Sequence, residues 1–284
     1  MFPQTEIGAD PSGVKAYAQA VQQMGFAHLA AYDHVLGAVH AGRQPPLTGP
    51  YTEESTFHEP LVLFGYLAAI APGLELVPQV IILPQRQTAL LAKQAAEVDV
   101  LTGGKLRLGV GIGWNAVEYE GLGMDFRNRG RRFEEQIALL RRLWTEPVIT
   151  YEGRYDRITA AGLNPLPIQQ PIPLWIGASA EAALKRAAIL ADGYFPQRPL
   201  EGGWPATVAK IRQWRAEAGR DPKEFGIDAR INLGDGNPED WRKAAEDWRG
   251  LGATHLSINT MGAGLQGADA HVDALRRVQA AITV

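Results

Sequence analysis

Gly109-Val110-Gly111-Ile112-Gly113-Trp114-Asn115 is the run of the sequence with the clearest chemical meaning. Its glycines alternate, which suits a strand end whose backbone must come close to a ligand, because no Cβ stands in the way. The run opens toward a helix, and the free N–H groups of a helix start favour an anion. Gly177-Ala178-Ser179 repeats the arrangement further on. Two such turns could form one phosphate cradle; glycines that only fill crowded corners of a fold would read the same way. Asp33 and His34 place a carboxylate beside an imidazole. Such a pair can anchor a ligand and carry a proton, and it can equally be a satisfied structural group.

Arg127, Arg129, Arg131 and Arg132 crowd the start of a later helix. Positive charge there opposes the helix dipole. An acidic partner is therefore expected, either a ligand tail or carboxylates such as Asp125, Glu134 and Glu135; a solvated face with internal ion pairs is the alternative. Residues 262–267 (GAGLQG) match G-x-G-x-x-G, but too little chain follows for a dinucleotide-binding unit. Gly103-Gly104-Lys105 lacks the spacing and hydroxyl of a P-loop. His28, His34, His40, His58, His255 and His271 show no H-x-x-x-H spacing, so no metal site is expected. His28 sits inside a strand and reads as a packing residue. His40 and His58 fall in loops and rival His34 as proton carrier.

These residues need elements to hold them. Val14, Tyr17, Val21 and Met24 recur on one helical face. Residues 26–32 then read as a short buried strand, and residues 74–83 (LELVPQVIIL) give the strongest strand signal. Helical stretches at 61–70 and 87–101 alternate with these strands. Further strands are expected at 106–113, 174–177, 193–195, 225–233 and 255–259, each followed by a helix. Strand–helix alternation implies parallel strands with crossover helices. About eight such units over 284 residues favour a (β/α)8 barrel, typically ~250 residues, over a doubly wound sheet. The chain then forms a single barrel domain over residues 1–284. One segment, 146–172, breaks the rhythm between the fourth and fifth units. Within it, residues 148–158 (VITYEGRYDRI) read as a hairpin turning at Glu152-Gly153. In a barrel of this kind, chemistry sits at the C-terminal strand ends. That rule selects Gln4, Thr5, Asp33, His34, Val80, the 111–115 run, the 177–179 run, Phe195, Gln197, Arg230, Asn232 and Asn259.

Composition removes several function classes. A net charge of −3 gives no bulk positive field for a nucleic-acid backbone. The absence of cysteine excludes disulfides, thiolate metal sites and a cysteine nucleophile, and it fits a cytoplasmic protein. No signal peptide is evident at the N-terminus. The longest apolar run, 61–71, is far short of the ~20 residues a membrane span requires.

Residues 80–123, VIILPQRQTALLAKQAAEVDVLTGGKLRLGVGIGWNAVEYEGLG, resemble the luciferase-like monooxygenase superfamily, and in particular its branch that uses the deazaflavin coenzyme F420. The segments DHV at 33–35, GLNPLPIQQPIPLWIGA at 162–178 and RAAILADGYFP at 186–196 resemble that branch in the same order. The resemblance implies a (β/α)8 barrel with an insertion. It implies that Gly111, Ile112, Gly113 and Trp114, with Asn115 closing the turn, and Gly177, Ala178 and Ser179 hold the coenzyme phosphate and ribityl chain. It places Asp33 and His34 near the deazaflavin ring. It puts a non-prolyl cis peptide at Gln79–Val80, in a bulged third strand, and Pro78 supports a bulge because it cannot donate to a ladder.

The expected activity is F420-dependent hydride transfer to or from a small organic substrate by a homodimer. The alternatives are an FMN-dependent monooxygenase served by a separate flavin reductase, and a coenzyme-binding barrel without catalysis. Two departures stand out. Related sugar-phosphate dehydrogenases carry a catalytic glutamate where this chain has Trp114. Relatives also begin with a longer first strand, for which only residues 1–5 remain here.

Overall fold

Proline and side-chain caps set where three of the longer helices start. Asp10 accepts from the Ser12 and Gly13 amides ahead of Pro11, and Glu59 accepts from the Val62 amide ahead of Pro60. Asn237 and Asp240 form a reciprocal capping box around Pro238. Proline suits the first helical turn because an N–H there has no intrahelical partner. The structure, a computed structural model, describes residues 1–283. In chain order it contains α1 (Gln4–Ile7), α2 (Pro11–Gln23), β1 (His28–Ala31), α3 (Pro60–Ile70), β2 (Glu75–Pro78), β3 (Ile81–Ile82) and α4 (Thr88–Leu101). There follow β4 (Leu108–Gly111), α5 (Ala116–Gly121), α6 (Arg129–Thr145), β5 (Ile149–Glu152) and β6 (Arg157–Ala161). The last part holds β7 (Leu174–Ala178), α7 (Glu181–Leu190), β8 (Gly193–Pro196), α8 (Gly203–Glu217), β9 (Gly226–Asn232), α9 (Pro238–Gly250), β10 (His255–Asn259) and α10 (Gly267–Ile282).

The chain divides into two compact units, Met1–Ala31 with Leu174–Val284, and Tyr32–Pro173. In the first unit β7, β8, β9 and β10 run parallel and side by side in sequence order. Parallel neighbours need crossover connections, and α7, α8 and α9 supply them. Trp175 explains two glycines here. A Cβ on Gly193 or Gly226 would fall 2.2 or 2.1 Å from its indole. His28 opens β1 and, beyond the packing role expected of it, joins a polar cluster: its Nε2 lies 2.9 Å from Ser257 Oγ, which itself donates to Asp228.

The short first strand expected over residues 1–5 is not formed. The Met1 amine donates to the Ile258 carbonyl (2.8 Å) and the Phe2 amide to the Ala30 carbonyl (2.7 Å). Pro3 then removes the next donor, and Gln4 and Thr5 turn into α1.

The second unit holds the interrupted strand. β2 ends at Pro78, β3 starts at Ile81, and the Gln79–Val80 peptide between them is cis, as expected. β3 pairs in parallel with β4, Ile81 opposite Val110 and Ile82 opposite Gly111. Val77, Ile81, Leu83, Leu108 and Val110 are fully buried, and the Trp144 indole donates to the Ala92 carbonyl (3.1 Å) to seat α6 on α4. The expected hairpin is present as the antiparallel pair β5–β6, running on to Ala161. Its turn is tied to α6 through Glu135, which accepts the amides of Arg154, Tyr155 and Asp156 at 2.8–3.0 Å.

Candidate active site

The side chains around Asp33 and His34 belong to the Tyr32–Pro173 unit. Asp33 follows β1 and is 2% exposed. Its Oδ2 accepts the Ile82 amide (3.0 Å), which braces the segment after the cis peptide. Its Oδ1 accepts Arg86 Nη2 (2.7 Å), and Arg86 Nη1 donates to Glu59 (2.9 Å). Burial pushes the Asp33 carboxyl up, and Arg86 beside it pulls the other way. Burial works against the Arg86 charge too, but Asp33 and Glu59 outweigh it and hold the guanidinium firmly cationic. Asp33 is thus an anchor for the backbone of β3 and for Arg86.

The next residue looks elsewhere. His34 Nδ1 lies 3.2 Å from Glu118 Oε1. Adjacency in sequence makes Asp33 the expected carboxylate beside His34. The structure corrects this: Asp33 is engaged by Ile82 and Arg86, and the carboxylate on the imidazole comes from α5, 84 residues away. Glu118 is 1% exposed and also accepts the Val35 amide (2.8 Å), the Leu36 amide (3.3 Å) and Gln85 Nε2 (3.4 Å). Burial raises its pKa, but the bonds from His34, Val35 and Leu36 prevail and hold it below the usual carboxylate range.

Aromatic rings surround His34. Centroid distances are 4.7 Å to Phe57, 5.2 Å to Tyr51 and 5.8 Å to Trp114, all edge-on, the geometry ring quadrupoles prefer. Tyr51 and Phe57 are themselves 4.8 Å apart, and His40 lies 6.3 Å from Trp114. Residues 35–59 therefore fold against the 111–115 run. Gly49 makes the close approach possible, since a Cβ there would fall 2.0 Å from the Trp114 ring.

The 111–115 run leaves β4 at Gly111. Tyr119 donates to the Ile112 carbonyl (2.7 Å), Gly113 takes a positive φ of 63°, and Asn115 caps α5 through the Val117 amide (3.1 Å) while donating to the Leu36 carbonyl (3.3 Å). A side chain at Gly113 would be strained by φ and would meet Ile82 Cγ2 at 2.7 Å. Of the remaining expected residues, Gln79 is buried at the cis peptide with Val80 after it. Gly177 and Ala178 are the last two residues of β7, and Ser179 follows them, in the other unit.

The arginine cluster divides. Arg129 donates to the Phe126 carbonyl (2.8 Å) with its guanidinium 3.7 Å from the Phe126 ring, and Arg132 reaches the Arg86 carbonyl (3.4 Å). The Nε atoms of both are buried without a hydrogen-bond partner. Asp125 caps the Arg127 amide and Glu135 serves the hairpin turn, so neither is the acidic partner expected for the cluster.

Sequence reasoning missed Glu118, Arg86, Glu59, Tyr51, Phe57 and Gly49. Glu118 stands in the GWNAVEYE run already singled out, and Arg86 lies just beyond the third strand. No local signal marks the others.

The luciferase-like monooxygenase family model matches residues 1–282. The chain belongs to this family. Its members are flavin- or F420-dependent oxidoreductases and monooxygenases, and the (β/α)8 fold class expected from the strand–helix count is theirs. This luciferase-like chain is 33% identical over 235 residues to the Mycobacterium tuberculosis protein Rv0940c, covering 81% of this chain and 80% of the relative. It is 31% identical over 204 residues to the FMNH2-dependent dimethylsulfone monooxygenase of Pseudomonas fluorescens, covering 71% of this chain but 55% of that protein. Among solved structures, an F420-dependent secondary alcohol dehydrogenase in complex with an F420-acetone adduct matches with a TM-score of 0.65 at 17% identity, covering 97% of this chain and 88% of that one. No group of side chains among the described residues could hold a metal ion, and no helix among them is long and apolar enough to cross a membrane.

Proposed function

We propose that this chain is an F420-dependent oxidoreductase that transfers a hydride to or from a small organic substrate, with His34 as the proton carrier. The observation that carries the reading is the setting of His34: an imidazole held by a buried carboxylate on one nitrogen and walled by Tyr51, Phe57 and Trp114. A bound deazaflavin would supply the two-electron hydride chemistry. The protein must then hold the substrate and manage one proton. The His34 imidazole is the group assigned to the second task, and the aromatic rings fix its position. Asp33 and Arg86 brace the β3 backbone and contribute no proton. Arg129 and Arg132, whose buried Nε donors have no hydrogen-bond partner among the described residues, suit the anionic tail of a coenzyme.

For coenzyme binding we assign Gly111, Ile112, Gly113, Trp114 and Asn115, and Gly177, Ala178 and Ser179. Gly113→Val and Gly177→Val should each lower coenzyme affinity by about 10-fold or more, or ~1.4 kcal/mol. Thermal melting of both variants separates this from loss of fold. Unchanged affinity in both would place the phosphate elsewhere.

A second reading is an FMN-dependent monooxygenase, favoured by the similarity to the dimethylsulfone enzyme. An anaerobic assay with reduced F420 and a panel of activated alkenes, ketones and imines tests the first reading. Turnover that requires oxygen and reduced FMN would establish the second. No turnover with either, despite binding, would leave a coenzyme-binding barrel.

The active form is proposed to be a homodimer. α3 carries no charged side chain, and its Val62 (71% exposed) and Tyr66 (42%) continue one apolar stripe on the solvent side. A helix apolar all round is normally covered on every face, and a second copy of the chain covers such a stripe symmetrically. Light scattering should give twice the chain mass for the wild type and the single-chain mass for Val62→Asp. A monomeric wild type would contradict the assignment.

A further inference from the structure

Glu118 is a buried charge that the proposed reaction does not by itself require. Its carboxylate nevertheless joins His34, Val35, Leu36 and Gln85 at one point. An ionised carboxylate only accepts hydrogen bonds, so the 3.2 Å contact obliges His34 Nδ1 to carry the proton. Nε2 of the neutral ring is then bare, and it has no hydrogen-bond partner among the described residues. Oε1 also takes the two amides that follow His34, so it fixes the backbone from which the ring projects.

We propose that Glu118 is the positioning residue of His34, locking the ring as the Nδ1–H tautomer and leaving Nε2 as the only nitrogen able to exchange a proton with substrate. The role rests on the reading of His34 as proton carrier. In the reducing direction Nε2 takes a proton from solvent, the imidazolium rests against Glu118, and Nε2–H passes that proton to the substrate centre that has received the hydride. The ring returns to the Nδ1–H form, and Glu118 stays ionised throughout. In the oxidising direction Nε2 accepts the proton the substrate releases. Free imidazole favours the opposite tautomer, Nε2–H, so the lock depends on the carboxylate.

The test is 15N NMR of histidine-labelled, coenzyme-free protein at a pH where His34 is neutral, with its signals assigned by their loss in His34→Gln. Wild-type His34 should show a protonated Nδ1 and a bare Nε2. Glu118→Ala should move it toward the Nε2–H form, and Glu118→Gln, which keeps an accepting oxygen, should retain the wild-type pattern. Turnover should fall by about 10²-fold or more in Glu118→Ala, mainly in kcat, and less in Glu118→Gln. A wild-type ring found as Nε2–H, or a pattern unchanged in Glu118→Ala, overturns the proposal. If Glu118→Ala does not fold, the wild-type tautomer still decides. The NMR result is independent of coenzyme and substrate. If the tautomer is as expected but His34→Ala retains full activity, the proton-carrier reading fails while the positioning geometry stands.

Discussion

His34→Ala is expected to lower turnover by roughly 10²–10⁴-fold, the usual contribution of a positioned acid or base. Coenzyme affinity should change only a few-fold, because the coenzyme is assigned to backbone turns and to the arginines of α6. The ring is edge-packed on Tyr51, Phe57 and Trp114, so alanine leaves a small gap as well. A melting curve checks that the loss is chemical. His34→Gln refines the result, since glutamine retains hydrogen bonding but cannot shuttle a proton. If His34→Gln keeps full turnover across the pH range, His34 is a hydrogen-bond anchor and not the proton carrier. His40, 6.3 Å from Trp114, is then the next residue to replace.

Asp33→Ala should act first on the fold. Arg86 is 14% exposed and Asp33 1% at the side chain, so removing the carboxylate leaves a guanidinium mostly out of water with Glu59 alone as partner. Breaking a buried pair by deleting one member costs about 3–5 kcal/mol. For a chain of this size ~3 kcal/mol corresponds to a drop of roughly 6–12 °C in melting temperature. The Ile82 amide loses its acceptor at the same time, which loosens the segment beside Gly113. Coenzyme affinity and turnover should therefore fall together, in contrast to His34→Ala. An Asp33→Ala protein that melts within a degree or two of the wild type would show that the Asp33–Arg86 pair contributes little to this unit.

The strands and helices were largely legible because their signals are local. Residues 74–83 announced a buried strand, and Pro78 announced its interruption, borne out by the break between β2 and β3. The helix expected after the strand at 225–233 is α9. For residues 1–5 the resemblance implied a short first strand, and Pro3 followed by the turn into α1 prevents it. The glycine-rich run was found from composition and spacing alone. Its surroundings were not. Glu118 meets His34 from 84 positions away, Arg86 meets Asp33 from 53, and Gly49 meets Trp114 through the packing of a long loop. Such contacts depend on how elements stack, and a single sequence carries no periodic trace of them. Adjacency in sequence even suggested the wrong partner for His34.

Absorption and fluorescence titration of F420 into the purified protein, with FMN titrated in parallel, decides which coenzyme the chain takes. F420 should bind saturably and stoichiometrically with a shifted spectrum, FMN should bind more weakly, and Gly113→Val should move the F420 midpoint to a concentration about 10-fold higher or more. Saturable FMN binding with no F420 response would overturn the F420 assignment and make FMN the coenzyme.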